Sequence, residues 1–364
     1  MKILFLGTHL NVGGIPRYIL NLAQGFKMRG HQVYVASRGG VWEDRLVKDD
    51  IPHIKIPLHT KSIASWWIWP SFRVLSSFLK ENKIDIIHCN TRVTQFLGFL
   101  LWKIKKIPYV CTYHGYYSPK WGRKIFKCEG LLSVAISKDV ADHMVQDLGI
   151  ERSKIRLVYN GIDECVYLPS LQKEISQKRY QLEGSPIVGI IARLVAEKNH
   201  SLLIDAFALL VKDYPGALLV IVGEGRLAGG LDAQVKRLGL ESRIRFIKSA
   251  PASEIIPSFD ISVLPSLAEG FGLSVLESLI LGVPVIVSDR GGLKEIIQHG
   301  VNGLVLRDCG DKQELYRNMK MVVEDAGLRT RLIENSKKTV QERFSLEQMI
   351  EGTGKVYEEA LRKT

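Results

Sequence analysis

Two carboxylates eight positions apart bracket the segment Glu269-Gly-Phe-Gly-Leu-Ser-Val-Leu-Glu277. Were most of it helical, they would stand ~12 Å apart along the axis at ~1.5 Å per residue. That separation excludes a proton-sharing dyad. It suits a grip on two hydroxyl-bearing parts of one elongated ligand, with the N–H groups of Gly270, Phe271, Gly272, Leu273 and Ser274 aimed at an anion between them. A nucleotide sugar has this form, with hydroxyls on the hexose, then a diphosphate, then hydroxyls on the ribose. Taken alone, the segment is equally a Gly-rich turn from strand to helix with a solvated Glu at each end.

Arg193-Leu-Val-Ala-Glu-Lys198 also follows a strand-like run and offers a guanidinium and an ammonium at its end. Arg supplies a planar fork for phosphate oxygens and Lys a mobile point charge, so the pair suits a diphosphate. Gly13-Gly14 lies after the first strand-like run and ahead of a helix expected near Ile15, where glycines let backbone approach a phosphate. The full G-x-G-x-x-G pattern is missing and no acid is suitably placed after the second strand, which argues against a dinucleotide oxidoreductase. His114 closes another strand-like run and points to the same end of its sheet.

These residues need strands to carry them. Short β-branched runs at 2–7, 31–37, 84–90, 108–114, 131–137 and 155–160 alternate with helical periodicity, as in Tyr18, Ile19, Leu22, Ala23 and Phe26. Runs at 187–192, 217–223, 243–247, 261–265, 283–288 and 303–306 repeat the scheme. Near-continuous apolar strands between amphipathic helices predict parallel sheets covered on both faces. The expected fold is α/β, with two doubly wound, Rossmann-like domains. Residues 1–163 form the first, 164–185 a polar linker and 186–345 the second, while 346–364 add a closing amphipathic helix. Ligands of such sheets bind beyond the carboxyl ends of the strands, so the site is expected in the cleft between the two.

At 364 residues the length fits about two domains, and 46% hydrophobic with 24% charged residues excludes a disordered chain. Five scattered cysteines without a C-x-x-C pair read as buried free thiols of a reducing cytosol. Neither a secretory signal nor a membrane-spanning run is expected. The charge is lopsided: residues 1–163 hold 24 Lys+Arg against 12 Asp+Glu, and residues 164–364 hold 26 of each. Within the basic half, Trp66, Trp67 and Trp69 are followed by Arg73 and Lys80, while Lys103, Lys105, Lys106, Lys120, Arg123, Lys124 and Lys127 lie near Trp102 and Trp121. Tryptophan flanked by Lys and Arg is the composition of an interfacial anchor on anionic lipid. Some of these tryptophans could instead be core and the charges a solvated face.

Together these motifs resemble the retaining GT-B glycosyltransferases of the family-4 type, a group of bacterial lipid and polysaccharide glycosyltransferases. The likeness spans nearly the whole chain and is strongest over 187–307. There Ala192-Arg193-Leu194, Val222-Gly223-Glu224-Gly225, Pro265-Ser266, Glu269-Gly270-Phe271-Gly272, Glu277, Gly282-Val283-Pro284-Val285 and Asn302-Gly303 recur in the family's order. Asn160-Gly161-Ile162-Asp163 also fits. The resemblance implies that Arg193 and Lys198 neutralise the donor diphosphate, with backbone N–H contacts from Gly14 in the loop of Gly13. It implies Glu269 on the donor sugar beside the N–H groups of Phe271 and Gly272, Leu273 and Ser274 capping phosphate, and Glu277 on the ribose. His114 would sit near the transferred sugar, and backbone around Ile247 would read the base. The closing helix would pack back on the first domain.

The implied reaction is retaining hexosyl transfer from a nucleotide-diphosphate sugar to a lipid-linked or glycan acceptor. No Asp-x-Asp occurs, so neither metal nor other cofactor is expected. The expected location is cytoplasmic, peripheral on the inner face of the cell membrane. Rival readings are a transferase with a soluble small-molecule acceptor and a nucleotide-sugar epimerase or hydrolase of the same architecture. Nucleic acid is not an expected partner, since neither a recognition helix nor stacking aromatics on an exposed sheet accompany the basic pI.

Overall fold

The computed structural model describes residues 1–60, 62–118, 127–167 and 171–363. It divides into two compact units, Met1–Gly161 with the chain from Leu346 onward, and Ile162–Ser345. Each is a Rossmann-like layer of helices around one parallel sheet.

The amino-terminal sheet contains β1 (Lys2–Leu6), β2 (Gln32–Ser37), β3 (His53–Lys55), β4 (Ile86–Cys89), β5 (Tyr109–Tyr113), β6 (Leu132–Ala135) and β7 (Ile155–Leu157), in the order β3-β2-β1-β4-β5-β6-β7. Its central strands are buried on both faces, which is why they read as apolar runs. The edge strand β3, His-Ile-Lys, was not expected: three residues with no apolar run carry no strand signal. The helix Gly14–Met28 lays Ile19, Leu22, Ala23 and Phe26 on the sheet. The closing helix Leu346–Arg362 joins this core, burying Met349, Ile350, Val356 and Tyr357. A buried polar network fastens it there. His88 Nδ1 pairs with Tyr357 Oη at 2.6 Å, and His88 Nε2 with Thr112 Oγ1 at 2.7 Å.

The second sheet contains β8 (Ile187–Ile191), β9 (Leu218–Val222), β10 (Ile244–Ile247), β11 (Ile261–Leu264), β12 (Val285–Ser288) and β13 (Leu304–Leu306), in the order β10-β9-β8-β11-β12-β13. Described parts of the expected 164–185 linker belong to this unit. Its short helices Glu164–Tyr167 and Lys173–Tyr180 are fastened by Tyr167 to Glu277 and by Ser176 Oγ to the Glu254 carbonyl at 2.6 Å.

All five cysteines are free, and four are buried as expected; Cys165, on a short surface helix, is exposed. Among the described residues no helix is long and apolar enough to cross a membrane.

Candidate functional site

In both sheets the chain starts at a central strand, winds outward one way and then returns to the other side. The reversals fall between β1 and β4 and between β8 and β11. Doubly wound sheets take ligands beyond the carboxyl ends of their strands at such a reversal.

In the second unit the loop after β8 carries Arg193 and Lys198, and the loop after β11 carries Glu269. The Leu267 N–H donates to the Glu197 carbonyl at 2.8 Å and binds the two loops across the reversal. Lys198 and Glu269 form an ion pair there, each side chain about 15% exposed. The resemblance assigned these two residues to different parts of the ligand; in the structure they pair with each other. A half-buried pair of this kind leaves a costly lone charge if either partner is removed. Arg193, in the same loop as Lys198, is exposed.

Backbone, more than side chains, fixes these loops. The Leu194 N–H donates to the Glu224 carbonyl at 3.0 Å and the Leu227 N–H to the Leu194 carbonyl at 3.1 Å, which lace the Arg193 loop to the loop after β9. A Cβ on Gly225 would stand 2.3 Å from the Leu194 oxygen, so only glycine permits that approach. On the other flank the Gly292 N–H donates to the Glu269 carbonyl at 3.0 Å, and a Cβ on Gly292 would lie 2.6 Å from the Gly270 oxygen. Gly292 was missed in the sequence, where only its pairing with Gly291 hinted at a turn.

The expected helix starts later than Glu269. Residues 269–272 are loop, and the helix is Leu273–Ile280, preceded by Gly272 in the left-handed region at φ 104°. The axial spacing taken from an all-helical segment therefore does not apply to Glu269 and Glu277. The N–H groups of Gly270 and Phe271 belong to the loop, while those of Leu273 and Ser274 open the first helical turn. Phe271 is buried with its ring edge-on to Phe344, centroids 5.6 Å apart, which anchors the loop in the core. Glu277 is no solvated end. It is 5% exposed, and Tyr167 Oη donates to its Oε1 at 2.7 Å. Tyr167 was also missed, lying in a stretch that read as linker. Ile247 ends β10, and its carbonyl accepts the Gly223 N–H at 2.8 Å.

The first unit repeats the plan with different joinery. Gly13 and Gly14 are exposed after β1, at the start of the helix Gly14–Met28. Thr8 and Thr91 hydroxyls meet across the β1/β4 reversal at 2.9 Å. His114 follows β5, with Nε2 3.2 Å from Asn90 Oδ1 and its ring edge-on to Tyr18 at 4.7 Å. Burial pulls its pKa down to about 3. His114 is thus a neutral imidazole at physiological pH, and with Asn90 Oδ1 as acceptor the proton sits on Nε2. It can hydrogen-bond a ligand but not protonate one.

Trp66, Trp67 and Trp69 are exposed at 75%, 42% and 53%, around the start of the helix Ile68–Glu81. A cavity of about 320 Å³ joins Trp66 and Trp69 to Phe96 on the helix Arg92–Lys105. Lys103 and Lys105 near the end of that helix, and Lys106 after it, are exposed, with Lys103 Nζ 4.9 Å from the Trp102 ring centroid. Lys105 is ~13 Å from Phe96 along the axis, so tryptophans and lysines form two groups and not one. Arg123 and Lys124, with Lys120 and Trp121, lie outside the described residues.

Residues 12–164 match the family model described as Glycosyltransferase Family 4, and residues 172–339 the model described as glycosyl transferases group 1. Between them they span both units, and the chain belongs to the GT-B glycosyltransferases of the family-4 type. It is 27% identical over 334 residues to a D-inositol 3-phosphate glycosyltransferase of Nocardia farcinica, covering 82% of this chain and 74% of that one. It is 26% identical over 277 residues to the UDP-Gal:alpha-D-GlcNAc-diphosphoundecaprenol alpha-1,3-galactosyltransferase of Escherichia coli, covering 71% of each. The crystal structure of Anabaena HepE in complex with UDP and glucose shares the fold, with a TM-score of 0.85, 24% identity and coverage of 99% and 100%.

Proposed function

We propose that this glycosyltransferase moves a hexosyl group, with retention and without a metal ion, from a nucleotide-diphosphate sugar to a lipid-linked or glycan acceptor of cell-surface polysaccharide or glycolipid synthesis. The observation that carries the reading is the Lys198–Glu269 ion pair where the second sheet reverses its winding, with Arg193 in the same loop as Lys198. As the bond from the anomeric carbon to the diphosphate oxygen breaks, negative charge grows on that oxygen. Arg193, Lys198 and the first-turn N–H groups of Leu273 and Ser274 stabilise it. Glu269 holds the sugar hydroxyls and Glu277 the ribose. The acceptor oxygen bonds the same face of the anomeric carbon, its proton passes to the departing phosphate oxygen, and a nucleoside diphosphate leaves. Gly14 adds backbone N–H contacts to the phosphates and His114 a neutral hydrogen bond to the sugar.

The amino-terminal unit has the acceptor role, on the cytoplasmic face of the membrane. Its exposed tryptophans and its charge, 27 Lys+Arg against 15 Asp+Glu, support an anionic lipid surface as its neighbour. The Escherichia coli relative, named for a diphosphoundecaprenol acceptor, supports a lipid-linked substrate. A soluble acceptor is the second reading, favoured by the Nocardia relative named for inositol 3-phosphate.

The test is thermal stabilisation by a panel of nucleotides and nucleotide sugars in EDTA. Ligand at 100 times its Kd stabilises the native state by about 2.7 kcal/mol. One donor should raise the melting temperature selectively, and Arg193→Ala should abolish the rise. No rise, or a rise that survives the substitution, overturns the diphosphate assignment. Anomeric proton coupling in the product reports retention or inversion directly.

A further inference from the structure

We infer that Tyr167 is a positioning residue for nucleotide recognition: its hydroxyl sets the Glu277 carboxylate to receive the ribose diol, and so makes the site select ribonucleotides. The inference rests on the reading of Glu277 as the ribose ligand.

Glu277 lies in the second turn of the helix Leu273–Ile280, among neighbours that are all buried from Val275 to Ile280. An ionised carboxylate in such surroundings needs hydrogen-bond donors, and an unpaired one is costly. Tyr167 Oη supplies one at 2.7 Å to Oε1, and Tyr167 is itself 5% exposed. Both partners are therefore held by packing. Their separation of 110 residues in sequence means that nothing local dictates the contact.

The chemistry of the pair is directional. A phenol that donates to a carboxylate makes a charge-assisted bond, which favours the ionised form of the acid and restricts rotation about its last torsion. An ionised carboxylate is an acceptor only, with lone pairs on both oxygens. It can take the two O–H donors of a vicinal diol at once, provided its plane is held. A 2′,3′-dideoxyribose brings neither donor, and sites built for hydroxyls reject such an analogue strongly. Tyr167 touches neither the diphosphate nor the sugar in this scheme, and it acts only through Glu277. Its loss should therefore weaken binding of the ribose and leave the transfer step alone.

The experiment measures calorimetric affinities of uridine, guanosine, adenosine and cytidine diphosphates, each against its 2′,3′-dideoxy counterpart, on the native protein and on Tyr167→Phe. Native protein should prefer one ribonucleotide to its dideoxy form. In Tyr167→Phe the ribonucleotide should bind about 10-fold more weakly, the size expected for one hydrogen bond to a charged group, while the dideoxy form changes less than 2-fold. With the identified donor, KM should rise by a similar factor at unchanged kcat. Glu277→Gln, which keeps the shape but not the charge, should abolish the ribose preference and provides a second variant if the first is poorly folded. A native protein indifferent to the ribose hydroxyls, or one that binds none of the four nucleotides, overturns the Glu277 reading and this inference with it. A native preference that survives Tyr167→Phe, or an equal loss of both ligands in that variant, overturns the role of Tyr167 alone.

Discussion

The two units share one winding plan and use it differently. In Ile162–Ser345 the loops at the sheet reversal are tied by backbone hydrogen bonds and by glycines that admit them, and Lys198 and Glu269 form an ion pair across them. In the amino-terminal unit backbone ties of the same kind, Leu10 N–H to the Gly39 carbonyl and Asn90 N–H to the Leu6 carbonyl, are joined by side-chain contacts: Thr8 to Thr91, His114 to Asn90, and His88 to Tyr357 and Thr112. The second unit has 23 basic and 23 acidic residues and no tryptophan; the first has the whole net charge of +12 and all six tryptophans. The contrast separates two ways of using charge. In the second unit one ion pair holds its charges in place at the sheet end; in the first a net excess spread over the unit acts at long range.

The largest expected effect tests that division. Lys198→Ala removes a charge from the diphosphate site and the ion pair from Glu269, so kcat/KM should fall ~100-fold, ~3 kcal/mol by the scale of anion-stabilising groups. Trp66→Ala should change the rate with a water-soluble acceptor less than 2-fold. Initial rates with the donor from the stabilisation screen decide the matter, and equal losses in the two variants would erase the difference between the units.

Backbone joinery is tested next. In Gly292→Ala the new methyl meets the Gly270 oxygen at 2.6 Å and the Phe271 Cα at 2.8 Å. Overpacking of this kind costs ~1–3 kcal/mol, and because the shift falls on the Glu269 loop the donor KM should rise ~10-fold. Gly229, in the helix Ala228–Arg237 with open space around it, is the internal control. Gly229→Ala should stabilise by ~0.5–1 kcal/mol and leave KM unchanged.

These contacts mark where the sequence stops being legible. Twelve of the thirteen strands among the described residues were readable, most because burial on both faces makes them continuous apolar runs, and the missed β3 is an edge strand of three residues. Arg193, Lys198 and Glu269 could be placed because a charged residue just after such a run lies at the carboxyl end of its strand. Gly292 on Glu269 and Tyr167 on Glu277 could not, since each is a tertiary contact between loops or helices with no periodicity to announce it. The late start of the helix Leu273–Ile280 was hidden for a local reason: Gly272 turns the chain in the left-handed region, and its presence alone does not say which side of it is helical.

Acid should expose a smaller difference. Burial draws His88 and His114 down to about 3 in the first unit, and burial together with nearby Lys198 draws His200 to about 4 in the second. All three stay neutral when folded, whereas the unfolded chain takes up protons near pH 6.5. Their contribution is therefore complete above about pH 6.5 and is lost as pH falls toward the folded values, at up to ~1.4 kcal/mol per pH unit for each histidine. Tryptophan fluorescence reads only the first unit, where His31 and His53, also drawn down by burial, add to His88 and His114 and should make the slope steeper than one histidine gives. Denaturant unfolding at pH 7 and pH 5 checks this, with His114→Gln expected to reduce the slope. A slope unchanged in that variant would mean that His114 is not held neutral.

The smallest effect concerns how the basic unit meets a membrane, and ionic strength separates its two surface groups. Trp66 and Trp69 bind by burying ring area at the headgroup level, whereas Lys105 acts through a field that decays over ~8 Å at physiological salt and ~30 Å at 0.01 M. Lys105 stands ~13 Å along its helix from the cavity that joins these tryptophans to Phe96. A unit that docks by its tryptophan end keeps Lys105 beyond the screening length at physiological salt and within it at low salt. On vesicles of phosphatidylcholine and phosphatidylglycerol, Trp66→Ala should weaken binding in both conditions. Lys105→Ala should matter only at low salt, where one basic side chain is worth ~1 kcal/mol, or about fivefold in partition. Equal losses for Lys105→Ala at both salts would instead place the lysines against the bilayer. No binding at either salt by a protein that still glycosylates a soluble acceptor would decide for the soluble acceptor.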